Sequence, residues 1–188
     1  MSTRYEMRFT GSGGQGVILA SVILAEAAVC DGKMAIQSQS YGPEARGGLC
    51  KAEAIVSNEQ IWFSKVRKPN MLLALNQGSL EKYAPDLAEG AIVIIDSSLT
   101  APEYLDQDRL ISIPIIQTAV EKVGKVMTAN IVAVGAINTA LGLFSDEALF
   151  EGVKRHIPAG TEKINQVALA EGKALITEDI AAKFKQNL

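Results

Sequence analysis

Gly11-Ser12-Gly13-Gly14-Gln15-Gly16 sets glycines at the G-x-G-x-x-G spacing, a composition suited to cradling phosphate with the main chain. Glycine admits positive φ and lets a ligand approach the backbone. The first N–H groups of a helix that follows are unpaired, sit at the positive end of its dipole and point outward. The same turn could also serve tight packing alone. An acidic residue about 20 positions further on, which would grip an adenosine ribose, is missing, because that stretch reads Ile36-Gln37-Ser38-Gln39. The pattern therefore predicts an anion site, involving Gly13, Gly14, Gln15 and Gly16, more than an NAD site.

A second loop strengthens that expectation. Ser40-Tyr41-Gly42-Pro43-Glu44-Ala45-Arg46-Gly47-Gly48 puts Arg46 beside two glycines, and a guanidinium fork could meet a phosphate held by the Gly13–Gly16 amides. Glu44 could hold Arg46 in place. The bland reading is a surface turn with a weak ion pair, but such a turn gains nothing from so many glycines and polar side chains. Asn76-Gln77 and Asp96-Ser97-Ser98 each follow an apolar run and would share the carboxyl edge of a parallel sheet, where ligands of such sheets bind. They serve equally well as caps or turn formers. Lys65, Arg67 and Lys68 form a small basic loop of the kind that is usually solvated.

The chain shows no nucleophile with a base at motif spacing, no carboxylate dyad and no metal cage, so neither catalytic nor metal-ligating residues are expected. Its one histidine, His156, reads as a surface or cap residue. Cys30 and Cys50 read as buried thiols, since two cysteines without C-x-x-C spacing cannot hold an iron–sulfur cluster.

The elements that must position these loops follow from periodicity. An alternating segment at 5–9 predicts a strand feeding a helix over 17–30, followed by strands at 33–39 and 49–56. A short strand is expected at 60–63, and continuous apolar runs at 71–75 and 91–95 predict strands covered on both faces. Residues 111–115 predict an edge strand, because Pro114 lacks a ladder donor. Helices are expected from 79 to about 83, at 119–125, at 130–143, from a Ser145 cap to about 155, at 161–170 and at 178–184. The helix at 130–143 is apolar nearly all round and must be buried, either centrally or against another subunit. Strands alternating with helices give an α/β three-layer sandwich with a mostly parallel sheet covered by helices, in a single domain spanning 1–188.

Bulk composition narrows the function classes. Apolar residues are 48% and charged residues 21% of the 188, the balance of a folding chain. A net charge of −3 with 5% aromatics offers no basic stacking platform, which argues against nucleic acid. No apolar run reaches the ~18 residues of a membrane span and no signal peptide is visible, so a cytoplasmic address is expected.

The glycine turn, the S-Y-G-P-E-A-R-G-G loop, Leu73-Ala74-Leu75-Asn76-Gln77 and Ala129-Asn130-Ile131-Val132-Ala133-Val134-Gly135-Ala136 together resemble the gamma subunit of 2-oxoacid:ferredoxin oxidoreductases, over almost the whole chain. The Ser40–Gly48 loop looks most like the 2-oxoglutarate enzyme's. Ser64 departs from the family's frequent proline, which touches only local loop shape. The resemblance implies a complex that oxidatively decarboxylates a 2-oxoacid on thiamine diphosphate, passes electrons through iron–sulfur clusters to ferredoxin and captures the acyl group on coenzyme A. It places thiamine and clusters in partner subunits, alpha and beta, with a ferredoxin-like delta chain as a further candidate. For this chain it implies that the Gly13–Gly16 turn and the Ser40–Arg46 loop border the coenzyme A channel, and docking is expected through the helix at 130–143. A stand-alone nucleotide-binding protein and a scaffold whose glycine loops only pack are the alternatives. Self-association of the isolated chain is left open.

Overall fold

The computed structural model describes residues 4–40 and 48–185. Six strands form one sheet: β1 Arg4–Ser12, β2 Met34–Ser40, β3 Leu49–Ser57, β4 Met71–Ala74, β5 Ile92–Asp96 and β6 Leu110–Ile113. Their order is β2-β3-β1-β4-β5-β6. β3 is antiparallel to both neighbours, while β1, β4, β5 and β6 pair in parallel. The mostly parallel α/β sandwich is the architecture expected.

Burial explains why these stretches form strands. In β4 and β5 every residue is buried. Met71, Leu73, Ile92 and Ile94 join the main core, and Leu72, Ala74, Val93 and Ile95 a smaller one on the opposite face. Strands covered twice read as unbroken apolar runs. β6 lies at the sheet edge, with Ile111 and Ile113 buried and Ser112 exposed.

The main core lies beneath α1 Val17–Cys30, α4 Ala129–Leu141, α5 Asp146–Lys154, α6 Glu162–Ala174 and the terminal α7 Glu178–Lys185. The other face is covered by the short α2 Gln77–Tyr83, a 3₁₀ turn at Ala84–Asp86 and the connection around Leu99 and Leu105. After β6 comes α3 Ile115–Thr118, which runs into a π-helical turn at Ala119–Val123. Among the described residues no helix is long and apolar enough to cross a membrane.

Two expectations need correction. No strand forms at 60–63, and the whole connection from β3 to β4 is irregular. The apolar helix α4 is not a free docking face. Twelve of its 13 residues are buried inside this chain, where it packs against α1, α6 and α7. A helix apolar all round can be buried centrally or between subunits, and here α6 and α7 supply the cover. Glycines let α6 come close: a Cβ at Gly135 would meet the Leu169 backbone, and one at Gly172 the Val132 backbone.

Candidate functional site

β1 runs three residues further than the alternation at 5–9 suggests, so Thr10, Gly11 and Ser12 are still strand. The chain then turns through Gly13 and Gly14 and enters α1 at Gly16. Gly14 (φ 99°) and Gly16 (φ 70°) take left-handed backbone conformations that an L side chain resists. Three glycines of the turn, Gly11, Gly14 and Gly16, do different work. A Cβ at Gly11 would lie 2.7 Å from Gln15 Oε1, and one at Gly16 2.6 Å from Asn130 Nδ2. Around Gly14, in contrast, nothing lies within 4 Å of the Cβ position. Packing therefore explains Gly11 and Gly16, whereas Gly14 opens a free side of the turn.

Gln15 braces this shape from within. Its Oε1 accepts from the Ser12 N–H (2.6 Å) and its Nε2 donates to the Leu75 carbonyl (2.8 Å), tying the turn to the end of β4. Gln15→Leu removes both bonds, and a loss of about 1–3 kcal/mol is expected in urea unfolding, since each contributes on the order of 0.5–1.5 kcal/mol.

The remaining donors can be found by elimination. Gly13 N–H donates to the Gly48 carbonyl (3.1 Å) and Gln15 N–H to the Ser12 carbonyl (3.1 Å). The N–H groups of Gly14, Gly16, Val17, Ile18 and Leu19 have no acceptor among the described residues. Gly13 and Gly14 are exposed. These donors converge at the start of a 14-residue helix, an arrangement that attracts anions. A second helix start adds to it: Asn130, in the first turn of α4, donates from Nδ2 to the Gly16 carbonyl (3.3 Å). Asn130 was not singled out as a site residue from sequence. An asparagine at a helix start was the available signal, but its partner lies 114 residues away.

The second predicted loop begins and ends on the same edge. Ser40 closes β2 opposite Lys51, and Lys51 is opposite Thr10 of β1. Gly48 is bonded to the turn itself. Arg46, together with 41–47, lies outside the described residues. Asn76 and Asp96 are accounted for locally: Asn76 caps α2 by accepting from Ser79 N–H (3.2 Å), and Asp96 accepts from Ser98 and from Ile116 N–H.

A groove of about 510 Å³ leads away from the turn along α1, past Gly14, Gly16, Ile18 and Val22 to His156, with Cys50 on its wall. His156 is thus part of the groove's far end as well as of the surface. Its Nε2 has no hydrogen-bond partner and stands 3.7 Å from Glu26 Oε2. Arg155 beside it is held above its ordinary pKa, first by its hydrogen bond to Glu26 and then by Cys30. Cys30 and Cys50 are both free and only partly buried.

This fold has clear counterparts. A family model described as pyruvate ferredoxin/flavodoxin oxidoreductase matches residues 6–175, and the chain belongs to that family. Similar chains include the 2-oxoglutarate synthase subunit KorC of Methanothermobacter marburgensis, 42% identical over 182 residues, covering 93% of this chain and 98% of that one. KorC of Methanocaldococcus jannaschii is 40% identical over 178 residues, covering 93% and 95%. The gamma subunit of a keto/oxoacid ferredoxin oxidoreductase from Geobacter sulfurreducens superposes with a TM-score of 0.82 at 43% identity, over 92% of this chain and 96% of that one. Within the family this chain is of the gamma type, as the sequence resemblance implied. A more distant fold match, at 22% identity and TM-score 0.78, covers 92% of this chain but 31% of a 2-oxoglutarate:ferredoxin oxidoreductase chain from Magnetococcus marinus.

Proposed function

We propose that the whole of 1–188 acts as one gamma-type domain of a cytoplasmic 2-oxoglutarate:ferredoxin oxidoreductase, where it frames the entrance for coenzyme A. The choice of 2-oxoglutarate rests on the 39–42% identity to 2-oxoglutarate synthase subunits. Oxidative decarboxylation belongs to thiamine diphosphate and iron–sulfur clusters in the alpha and beta subunits and a ferredoxin-like delta chain. This chain's two cysteines fall short of the four thiolates a cluster takes.

What this chain contributes is binding and orientation. Coenzyme A is polyanionic, and the unpaired N–H groups of Gly14, Gly16, Val17 and Ile18 would take phosphate oxygens at the positive end of α1. Asn130 fixes the carbonyl of Gly16 from below, so that the donors face outward. On the family resemblance the Ser40–Arg46 loop borders the same channel, and its arginine would fork onto a phosphate. One observation carries the reading most: the Gly13 N–H to Gly48 carbonyl bond brings both predicted loops to the same edge, beside the free donors.

In the assembled enzyme Arg46→Ala is expected to raise the coenzyme A KM about 10–100-fold, the equivalent of a charge-assisted hydrogen bond of about 1.5–3 kcal/mol. The KM for the 2-oxoacid should hardly move, and Arg46→Lys should recover part of the loss. Steady-state kinetics with each substrate varied in turn decides it. An unchanged coenzyme A KM takes Arg46 out of the site.

A further inference from the structure

With α4 covered by its own chain, the surface that engages other subunits must lie elsewhere, and the irregular connection at 58–70 is built unlike an ordinary solvated loop. It is pinned at both ends. Glu59 N–H donates to Ser57 Oγ (3.0 Å), Asn70 Nδ2 donates to the Arg4 carbonyl (3.0 Å) and Asn70 Oδ1 accepts from Glu6 N–H (2.9 Å). Pro69 accepts from Ala88 N–H, and Val66 is buried beneath.

On this anchored frame Trp62, the chain's sole tryptophan, is 89% exposed and Phe63 47%. Tryptophan is among the residues most buried on average, so holding it in water on a fixed frame calls for an explanation. Met34, 50% exposed, stands in the cross-strand row Met34–Ser57–Arg4, and Arg4 reaches the Phe63 carbonyl. The frame of the patch thus adjoins the rim of the sheet.

Its charge is the second observation. Residues 58–70 carry Lys65, Arg67 and Lys68 against Glu59, a local balance of +2 in a chain whose net charge is −3. Arg67 stacks over the Phe63 ring at 4.8 Å. Lys65, Arg67 and Lys68 make no ion pair among the described residues. An exposed tryptophan with arginine beside it, rimmed by free cations, has the make-up of an interface anchor, and its field selects a partner of opposite sign.

We propose that Trp62, Phe63, Lys65, Arg67 and Lys68 form the surface by which this chain docks onto an acidic, apolar-centred face of another subunit of its complex. The patch adjoins the start of β1, while the glycine turn follows its end, about 25 Å away at roughly 3.3 Å per residue. Docking here leaves the anion site free, and the inference stands apart from the coenzyme A reading.

The sole tryptophan supplies the probe. Replacing it biosynthetically with 5-hydroxytryptophan gives an emission that can be excited apart from the tryptophans of the other subunits. Acrylamide should quench it strongly in the isolated chain and at least several-fold less once the separately purified subunits are added. Trp62→Ala and the charge reversal Lys65→Glu/Arg67→Glu/Lys68→Glu should each weaken association more than tenfold with the thermal midpoint unchanged, and the wild-type affinity should fall as salt rises. Quenching that assembly does not alter, or charge reversal without effect on affinity and salt dependence, overturns the proposal. Protection that grows with concentration in the isolated chain alone also overturns it, since the occupant is then a second copy.

Discussion

Arg8→Ala should destabilise the protein by about 3–5 kcal/mol, the cost of leaving one member of a buried ion pair without its partner. The Arg8 side chain is 4% exposed and donates from Nε to Glu53 Oε1 at 2.8 Å, with Glu53 itself 11% exposed. Its second bond, from Nη1 to Asp86 at 3.0 Å, reaches a carboxylate that is 58% exposed, so solvent screening leaves that contact little weight. Alanine would strand the Glu53 carboxylate with Lys51, 3.2 Å away, as its remaining countercharge. It would also empty the volume beside Tyr83, over whose ring the guanidinium lies at 5.7 Å. At about 2–4 °C per kcal/mol for a chain of this size, the thermal midpoint should drop by roughly 6–20 °C. The double replacement Arg8→Met/Glu53→Leu should recover most of the loss, because buried pairs exchanged for apolar side chains of similar volume are often neutral or better. A single-variant loss below about 1 kcal/mol would mean that the pair is effectively solvated.

Gly172→Ala is the second large effect, expected to cost about 2–3 kcal/mol net. In an ordinary helix this exchange favours alanine by about 1 kcal/mol. Here the added Cβ would lie 2.8 Å from the Val132 carbonyl carbon and nearer still to its oxygen. A backbone oxygen inside a buried helix cannot swing aside as a side chain could, so α6 must lift from α4 and strain or lose packing on both. Gly78→Ala in α2 provides the contrast. Its Cβ would meet Asn76 Oδ1 at 3.4 Å and Leu49 Cδ2 at 3.6 Å, ordinary contacts. The same exchange is there expected to be neutral or to stabilise by up to about 1 kcal/mol. Chemical denaturation of both variants checks the opposite signs. Equal effects would mean that the α4–α6 crossing yields more easily than its geometry implies.

These two sites also mark the boundary of what could be read without coordinates. Helix α1 was legible from Val17 to Cys30, because its apolar period begins where the glycine run ends. β5 was legible because a β-branched run buried on both faces has little alternative. Nothing local distinguished a covered α4 from a docking α4, since the same all-round apolar pattern serves both. The cover came from Gly135 and Gly172, whose effect depends on which backbone lies across from them. At 60–63 the apolar residues Ile61, Trp62 and Phe63 mimic a strand. The chain there is tied down by Asn70 and Ser57 instead of a ladder, and Trp62 points into water.

The candidate site divides in the same way. Amino-acid order alone determined that a glycine-rich strand-to-helix turn, with unpaired N–H groups at a helix start, exists at Gly11–Gly16, because those properties depend on neighbours in the chain. It also determined membership of the family, through the loop that ends at Gly48. Which glycines serve packing and which one opens the turn, and that Gln15 braces it from Leu75 while Asn130 supports Gly16, were decided by the tertiary structure. Those contacts span 60 and 114 residues. Local periodicity carries no information about such pairs, because they form only when the sheet and α4 have brought distant backbone to one edge.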